Sequence, residues 1–266
     1  MTYETPPIPK MTPWLLWGFQ GYVTRYLRKH FNAVRLTRNS VPDLEADEPV
    51  IIFGNHPGWW DPLMACFLNR RLFYPRRAYS PIDGEALAQY PIFRRLGYYG
   101  IQLDSLQGAK QFLATSRAIL HQPDSALWIT PGGQFCDVRQ PTLFQPGLGH
   151  LVASLERITV VPLALEYAFW EERTPEALAH FGPPLRCEGK RESKETWQQR
   201  LEAELAEAQD HLSQLSIQRD TRALAPMLNG SAGVGGCYDF ARQVRSWLTG
   251  RRFQRRHSPG LGAVDA

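Results

Sequence analysis

Apolar runs and amphipathic repeats alternate along this chain. "PVIIFGN" (residues 49–55) is an unbroken apolar run closed by Gly and Asn, the pattern of a buried strand that hands its carboxyl end to a loop. Residues 78–82 and 98–103 predict further strands, "ALWIT" (126–130) another, and "ITVVPLALEYA" (158–168) the last strong one. Between them, residues 105–122 set Leu106, Ala109, Phe112, Leu113, Ser116, Ile119 and Leu120 on one helical face. Residues 194–219 repeat Trp197, Leu201, Leu205, Leu212 and Leu215 at spacings of three, four and seven. That repeat is short, so a helix packed back on its own domain is preferred to a partner-binding coiled coil. Strands alternating with helices predict an α/β fold, helices covering a sheet.

The two ends read differently. Residues 1–10 are a polar, proline-rich lead without the basic start and apolar run of a signal peptide. Residues 13–38 mix Trp14, Trp17, Tyr22, Tyr26 and Phe31 with Arg25, Arg28, Lys29, Arg35 and Arg38. Such an amphipathic helix either lies in a membrane interface or packs on the domain with a solvated basic face, and Gly18 and Gly21 weaken it. After Asp220 the pattern loosens. "NGSAGVGG" has linker composition, "YDFARQVRSWL" suits one short helix, and the end carries a basic cluster. Near anionic lipid such a cluster contributes roughly 1 kcal/mol per basic residue. The expected organisation is a lead and amphipathic segment (1–40), an α/β domain (41–220) and a flexible basic tail (221–266).

Composition narrows the classes. The 266 residues are 43% hydrophobic and 21% charged, enough to build a core without disulfides or metals. Cys66, Cys136, Cys187 and Cys237 form no C-x-x-C pair, which favours a reducing compartment. A formal charge of +4 and a pI near 8.9 suit an anionic membrane, nucleic acid or an anionic substrate. No nucleic-acid motif accompanies the basic residues, so no nucleic-acid partner is expected. No run approaches the ~20 apolar residues of a spanning helix. A cytoplasmic protein, peripheral on the inner face of a membrane, is the expectation.

The chemistry gathers in "GNHPGWWDP" (residues 54–62). Histidine can take and return a proton near neutrality, and a carboxylate on its other ring nitrogen sets its tautomer. On a helix, His56 and Asp61 would stand roughly 140° apart. Pro57 and Gly58 supply the turn that lets them meet. The loop follows a strand end, where α/β proteins place their sites. The competing reading makes Asp61 followed by Pro62 only an N-cap and N1 helix start.

Four motifs in order resemble the PlsC-like glycerolipid and lysophospholipid acyltransferase family. They are N-H-x-x-x-x-D at Asn55, His56 and Asp61; a G-x-x-x-I-x-x-D block at Gly97, Ile101 and Asp104; "ITPGGQF" (129–135) with "FQPGLGHLVA" (144–153), similar to the family's F-P-E-G-T-R block; and "VVPLAL" around Pro162. The resemblance implies a mixed sheet covered by helices with a groove for an acyl chain. It implies transfer of a fatty acyl group from acyl-CoA or acyl carrier protein to a hydroxyl of a lipid-like acceptor. His56 would be the general base and Asp61 its orienting partner, with no cofactor and no metal. Asn55, Gly132, Gly133, Gln134 and Arg139 would bind substrate.

The match departs at two places. Ser105 replaces the second block's arginine, and Gly132 and Phe135 replace the glutamate and arginine of the third. Those groups are associated in the family with the acceptor phosphate, which an arginine fork suits and serine or phenylalanine does not. Either the acceptor lacks a phosphate, or Arg139, Arg94 or Arg95 stands in, or turnover is lost. The glycine pair also reads simply as a tight turn. His121 and His211 are expected to face solvent from helical runs and His150 to be a core or surface histidine, and "GVGG" lacks the residues of a phosphate loop. The competing functions are a thioester or lipid hydrolase and a non-catalytic lipid-binding relative.

Overall fold

The protein is described by a computed structural model covering residues 8–45, 47–103, 105–188 and 192–230. The polar lead before Ile8, Asp104, and the short helix and basic tail beyond Gly230 lie outside the described residues.

The chain runs α1 (Pro13–His30), β1 (Ala33–Thr37), β2 (Val50–Gly54), α2 (Asp61–Leu72), β3 (Arg77–Asp83), α3 (Gly84–Gln89), a 3₁₀ helix (Pro91–Leu96) and β4 (Tyr98–Ile101). It continues through α4 (Leu106–Leu120), β5 (Ser125–Ile129), α5 (Gly147–Ala153), β6 (Arg157–Ala168), β7 (Glu176–Phe181), β8 (Leu185–Glu188), α6 (Lys194–Gln218) and β9 (Leu224–Asn229). The described strands form one mixed sheet in the order β4-β3-β5-β2-β6-β7-β1-β9, with β8 paired to β6. The expected α/β class, a mixed sheet covered by helices, is the observed one.

The apolar run of β2 is buried throughout because the sheet is covered on both faces. Val50 and Ile52 face a core built with Val23 and Leu27 of α1 and Met64, Phe67 and Leu68 of α2. Ile51 and Phe53 face the opposite core, with Phe112 and Ile119 of α4, Leu148 and Leu151 of α5, and Trp197, Leu201 and Leu205 of α6. The period of two along the strand thus assigns each side chain to one helical layer. The leucine repeat of α6 is therefore an intramolecular packing stripe, as its length suggested.

Several elements depart from expectation. The helix expected to run to about residue 38 ends at His30, and Phe31 turns extended. Residues 33–37 become β1, parallel to β7. Its sequence "AVRLT" looks basic and amphipathic, yet Arg35 points inward. Its Nε donates to Glu176 Oε2 at 2.9 Å with both side chains buried, Asn32 donates to the other carboxylate oxygen, and the guanidinium lies 5.5 Å from the Trp170 ring. At the other end, Leu224–Asn229 forms β9, antiparallel to β1. The sheet therefore draws on residues expected in the lead and in the tail. In α4, Leu106 is exposed while Gly108, Thr115 and Ser116 are buried. Gly108 is required there, since a Cβ would stand 1.7 Å from the Gln102 carbonyl oxygen. No described helix is long and apolar enough to cross a membrane.

Candidate active site

The site grows from the mismatch between β2 and β6. The two strands are parallel from Val50↔Thr159 to Gly54↔Leu163, but β6 runs on to Ala168. Gly54 permits the close approach at the end of the ladder, where a Cβ would meet the Leu163 carbonyl oxygen at 2.6 Å. Asn55 continues the pairing with its side chain. Its Nδ2 donates to the Leu165 carbonyl at 2.9 Å and its Oδ1 accepts from the Leu165 N–H at 2.8 Å. Buried and engaged at both ends of its amide, Asn55 anchors the loop at the wall of the cavity.

The chain then turns through Pro57 and Gly58 and enters α2. Trp60, not Asp61, occupies the N-cap position, and α2 has no side-chain cap. Asp61 starts the helix and directs its carboxylate back into the loop. Oδ2 lies 2.5 Å from His56 Nδ1 and accepts the Gly58 N–H at 3.1 Å, while Oδ1 accepts the Tyr167 O–H at 2.5 Å. The helix amino terminus also favours negative charge at Asp61. The pair is therefore joined, and the reading of Asp61 as a helix cap is corrected: the carboxylate cannot face both ways.

With Nδ1 bonded to Asp61, the second ring nitrogen of His56, Nε2, has no hydrogen bond from the described residues. The histidine side chain is 20% exposed, against 4% for Asp61. The loop after β5 closes over it: Phe135 packs on the imidazole with ring centroids 4.4 Å apart, and Cys136 N–H donates to the His56 carbonyl at 3.0 Å. Behind the loop, Trp60 packs against Phe31, with centroids 4.8 Å apart.

His56 and Asp61 open on a cavity of about 600 Å³, in the size range of small-ligand sites. It runs between α1, α2 and β3, lined by Leu16, Trp17 and Phe19, by Ala65 and Cys66, and by Ile82 and Leu96. Arg70, Arg76 and Arg77 also line it, the last of these at the start of β3. Burial pushes the Cys66 thiol up to about 12, against the pull of Arg70, so the wall is neutral there. A neighbouring cavity of about 1030 Å³ shares Asp83, Tyr98, Ile101 and Leu103 with it, and Lys10, Glu85 and Arg94 line that second space.

The remaining expected site residues separate. Gly133 lines the first cavity in a left-handed turn (φ +70°) whose N–H donates to the Thr130 carbonyl at 3.0 Å. Gly132 packs near Thr142 and Leu143, and Gln134 is exposed. Arg139 is 84% exposed and chelates Asp137 through Nε and Nη2 at 2.8 and 2.7 Å, so its fork is occupied. Ser105 caps α4, accepting from the Gly108 N–H at 2.9 Å. Arg95 is held by Thr12 Oγ1 and lies over Trp14. Tyr167 was not anticipated. Its only signal is the alternation of β6, which puts Leu163, Leu165 and Tyr167 on one face; its partner lies 106 residues away.

The fold has a solved counterpart. The 1-acyl-sn-glycerophosphate (LPA) acyltransferase PlsC from Thermotoga maritima superposes with a TM-score of 0.54 at 12% identity, covering 76% of this chain and 80% of that one. No curated protein matches the chain in sequence. The profile of the family described as Acyltransferase matches residues 33–166, half of the chain, spanning β1, the His56–Asp61 loop and nearly all of β6. The chain belongs to the Acyltransferase family, and with it to enzymes that take an acyl donor and a lipid acceptor.

Proposed function

We propose that the protein is a membrane-associated O-acyltransferase that moves a fatty acyl group from a thioester, acyl-CoA or acyl carrier protein, to a hydroxyl of a lipid-like acceptor without a phosphate beside that hydroxyl. The observation that carries this reading is the unbonded Nε2 of His56 at the mouth of an apolar cavity. The acyl chain lies in the cavity with its carbonyl at the mouth. His56 Nε2 takes the acceptor's hydroxyl proton as the oxygen attacks the thioester carbonyl. The tetrahedral intermediate then expels the thiolate, which takes the proton back from Nε2. One C–S bond breaks, one C–O bond forms, and the products are an ester and a free thiol. Asp61 holds the Nδ1 proton and stabilises the imidazolium that forms in between.

The acceptor reading rests on the positions that match the family's phosphate-binding groups: Phe135 lies on the imidazole and Ser105 caps a helix, while the candidate stand-in Arg139 pairs with Asp137 at the surface. Membrane contact is supported by one exposed stripe of α1, where Trp14, Trp17 and Tyr22 precede Arg25, Arg28 and Lys29. Trp59, Phe135, Leu143 and Phe169 are also exposed, on the segments that leave β2, β5 and β6 at their carboxyl ends.

The test supplies a radiolabelled acyl thioester, on each carrier, with neutral hydroxyl lipids and with 1-acyl-glycerophosphate in vesicles, to the native protein and to His56→Ala. A labelled ester of a neutral lipid, made only by the native protein, is expected. Ester only on the phosphorylated acceptor would overturn the acceptor reading and direct attention to Arg94. Free fatty acid as the sole product would establish hydrolysis instead. No thioester consumption with any acceptor would leave a lipid-binding relative.

A further inference from the structure

Within the loop from Asn55 to Asp61, the Gly58 N–H at 3.1 Å holds one oxygen of the Asp61 carboxylate toward His56, and the loop leaves the other oxygen unheld. A carboxylate at a helix start ordinarily bonds the free amides of its own first turn. The overhang of β6 supplies the missing hold. Beyond the last residue paired with β2, the Leu165 backbone holds Asn55, and two residues on, Tyr167 donates its O–H to Asp61 Oδ1 at 2.5 Å. The Tyr167 ring is itself fixed. Phe31 packs against it with centroids 5.7 Å apart, and a Cβ at Gly58 would touch it at 3.9 Å.

We infer that Tyr167 is a positioning residue for the Asp61–His56 pair: by holding Oδ1 it turns Oδ2 onto His56 Nδ1 and so presents Nε2 to the cavity. This deepens the proposed function and rests on His56 being its base. Burial, and after it the charge and hydrogen bond of Asp61, push the phenol well above its usual range, so it stays a donor at any working pH. The titratable groups that meet in the cluster are His56, Asp61 and Tyr167 themselves. The loop after β5 adds Phe135 and the Cys136 backbone, the α1–β1 side adds Phe31, and His30 and Tyr26 stand behind Trp60. A carboxylate shared among three donors gives less of its charge to any one. Without the hydroxyl, Asp61 is freer to rotate away from His56.

The test is Tyr167→Phe in the full chain, which keeps the ring and its packing. Turnover is expected to fall roughly tenfold with little change in KM, the signature of a displaced catalytic group. Nitrogen-15 NMR of the histidine side chains, with His56 identified by its loss in His56→Ala, reads the same question without turnover. The native protein should show a single Nδ1–H tautomer, and Tyr167→Phe a shifted or mixed one. Unchanged turnover with an unchanged His56 resonance would overturn the inference, even if the melting temperature fell. If His56→Ala retains full activity, the base assignment fails, and the NMR comparison still decides whether Tyr167 orients the pair.

Discussion

Glu176 and Asp61 are equally enclosed in this fold and are used in opposite ways. Glu176 is answered by Arg35 and Asn32, with Trp170 over the guanidinium. Asp61 is answered by Tyr167, the Gly58 amide and His56. Both arrangements meet the demand that a buried charge be paired and hydrogen-bonded. The difference lies in the partner. Arginine has donors only and is not deprotonated in proteins, so the Arg35–Glu176 network, which also reaches the Leu224 carbonyl at 3.4 Å, has no proton to exchange. Histidine has a second nitrogen, and at His56 that nitrogen opens to a cavity. One pair fastens β1 to β7; the other leaves a ring nitrogen without a partner among the described residues, on a side chain that lines the cavity.

Removing His56 tests the open pair most severely. His56→Ala is expected to lower turnover by roughly 10²–10⁴-fold, the usual contribution of general-base catalysis. The melting temperature should move by no more than roughly 2–4 °C, the shift of about 1 kcal/mol in a chain of this size. Side-by-side thioester assays and thermal melts check both. Full turnover in the variant would end the comparison, because the two carboxylates would then both be structural.

The closed pair should respond the other way. Glu176→Gln keeps the shape and leaves Arg35 buried without its counter-charge, with an expected loss of about 3–5 kcal/mol of stability. Turnover per folded molecule, measured well below the melting transition, should be unchanged. Denaturant unfolding gives the first quantity and active-site-normalised rates the second. A stable protein with damaged turnover would mean that the β1–β7 pair communicates with the site.

What sequence could reveal divides along the same line. β2, α2, α4 and α6 were legible because their signals are local: an apolar run, a Pro at a helix start, a repeat at helical spacing. His56 and Asp61 were legible as a pair because the turn residues lie between them. β1 was hidden because "AVRLT" follows a basic helix and Arg35 looks solvated until Glu176, in a strand 141 residues on, is placed beside it. β7, with the sequence "EALAHF", has few β-branched residues and becomes a strand only by pairing with β6 and β1. Tyr167 and the commitment of Asn55 to Leu165 were hidden for the same reason. Arg139, a candidate stand-in cation just beyond the third motif, pairs at the surface with Asp137, a partner that lies only two residues away.

The cavity beyond His56 sharpens the contrast on the open side. Cys66 lies five residues along α2 from Asp61, roughly 7–8 Å at 1.5 Å per residue, and faces the space assigned to the acyl chain. Cys66→Trp should fill that section without touching the His56–Asp61 bond. The kcat/KM for long-chain thioesters is expected to fall by at least roughly tenfold relative to short-chain ones. A chain-length series with both proteins measures the ratio. An unaltered ratio would place the acyl chain elsewhere, with the larger neighbouring cavity the next volume to test.

The smallest effect concerns a histidine that lacks the partner His56 has. His180 of β7 stacks on His211 of α6 with centroids 4.5 Å apart, and its Nδ1 has no hydrogen-bond partner among the described residues. Burial first, then the charge of His211, hold His180 down at about 4. The unfolded chain takes up that proton at about 6.5. Between these values the unfolded state binds more protons than the native one, so stability falls as pH drops through the window and is fully present above it. In His180→Phe the titration is gone, and the decline of the melting temperature from about pH 6.5 to about pH 4 should be shallower than in the native protein. An equal slope would assign the acid sensitivity to groups other than His180. A shallower one would show what burial does to a histidine without a carboxylate beside it.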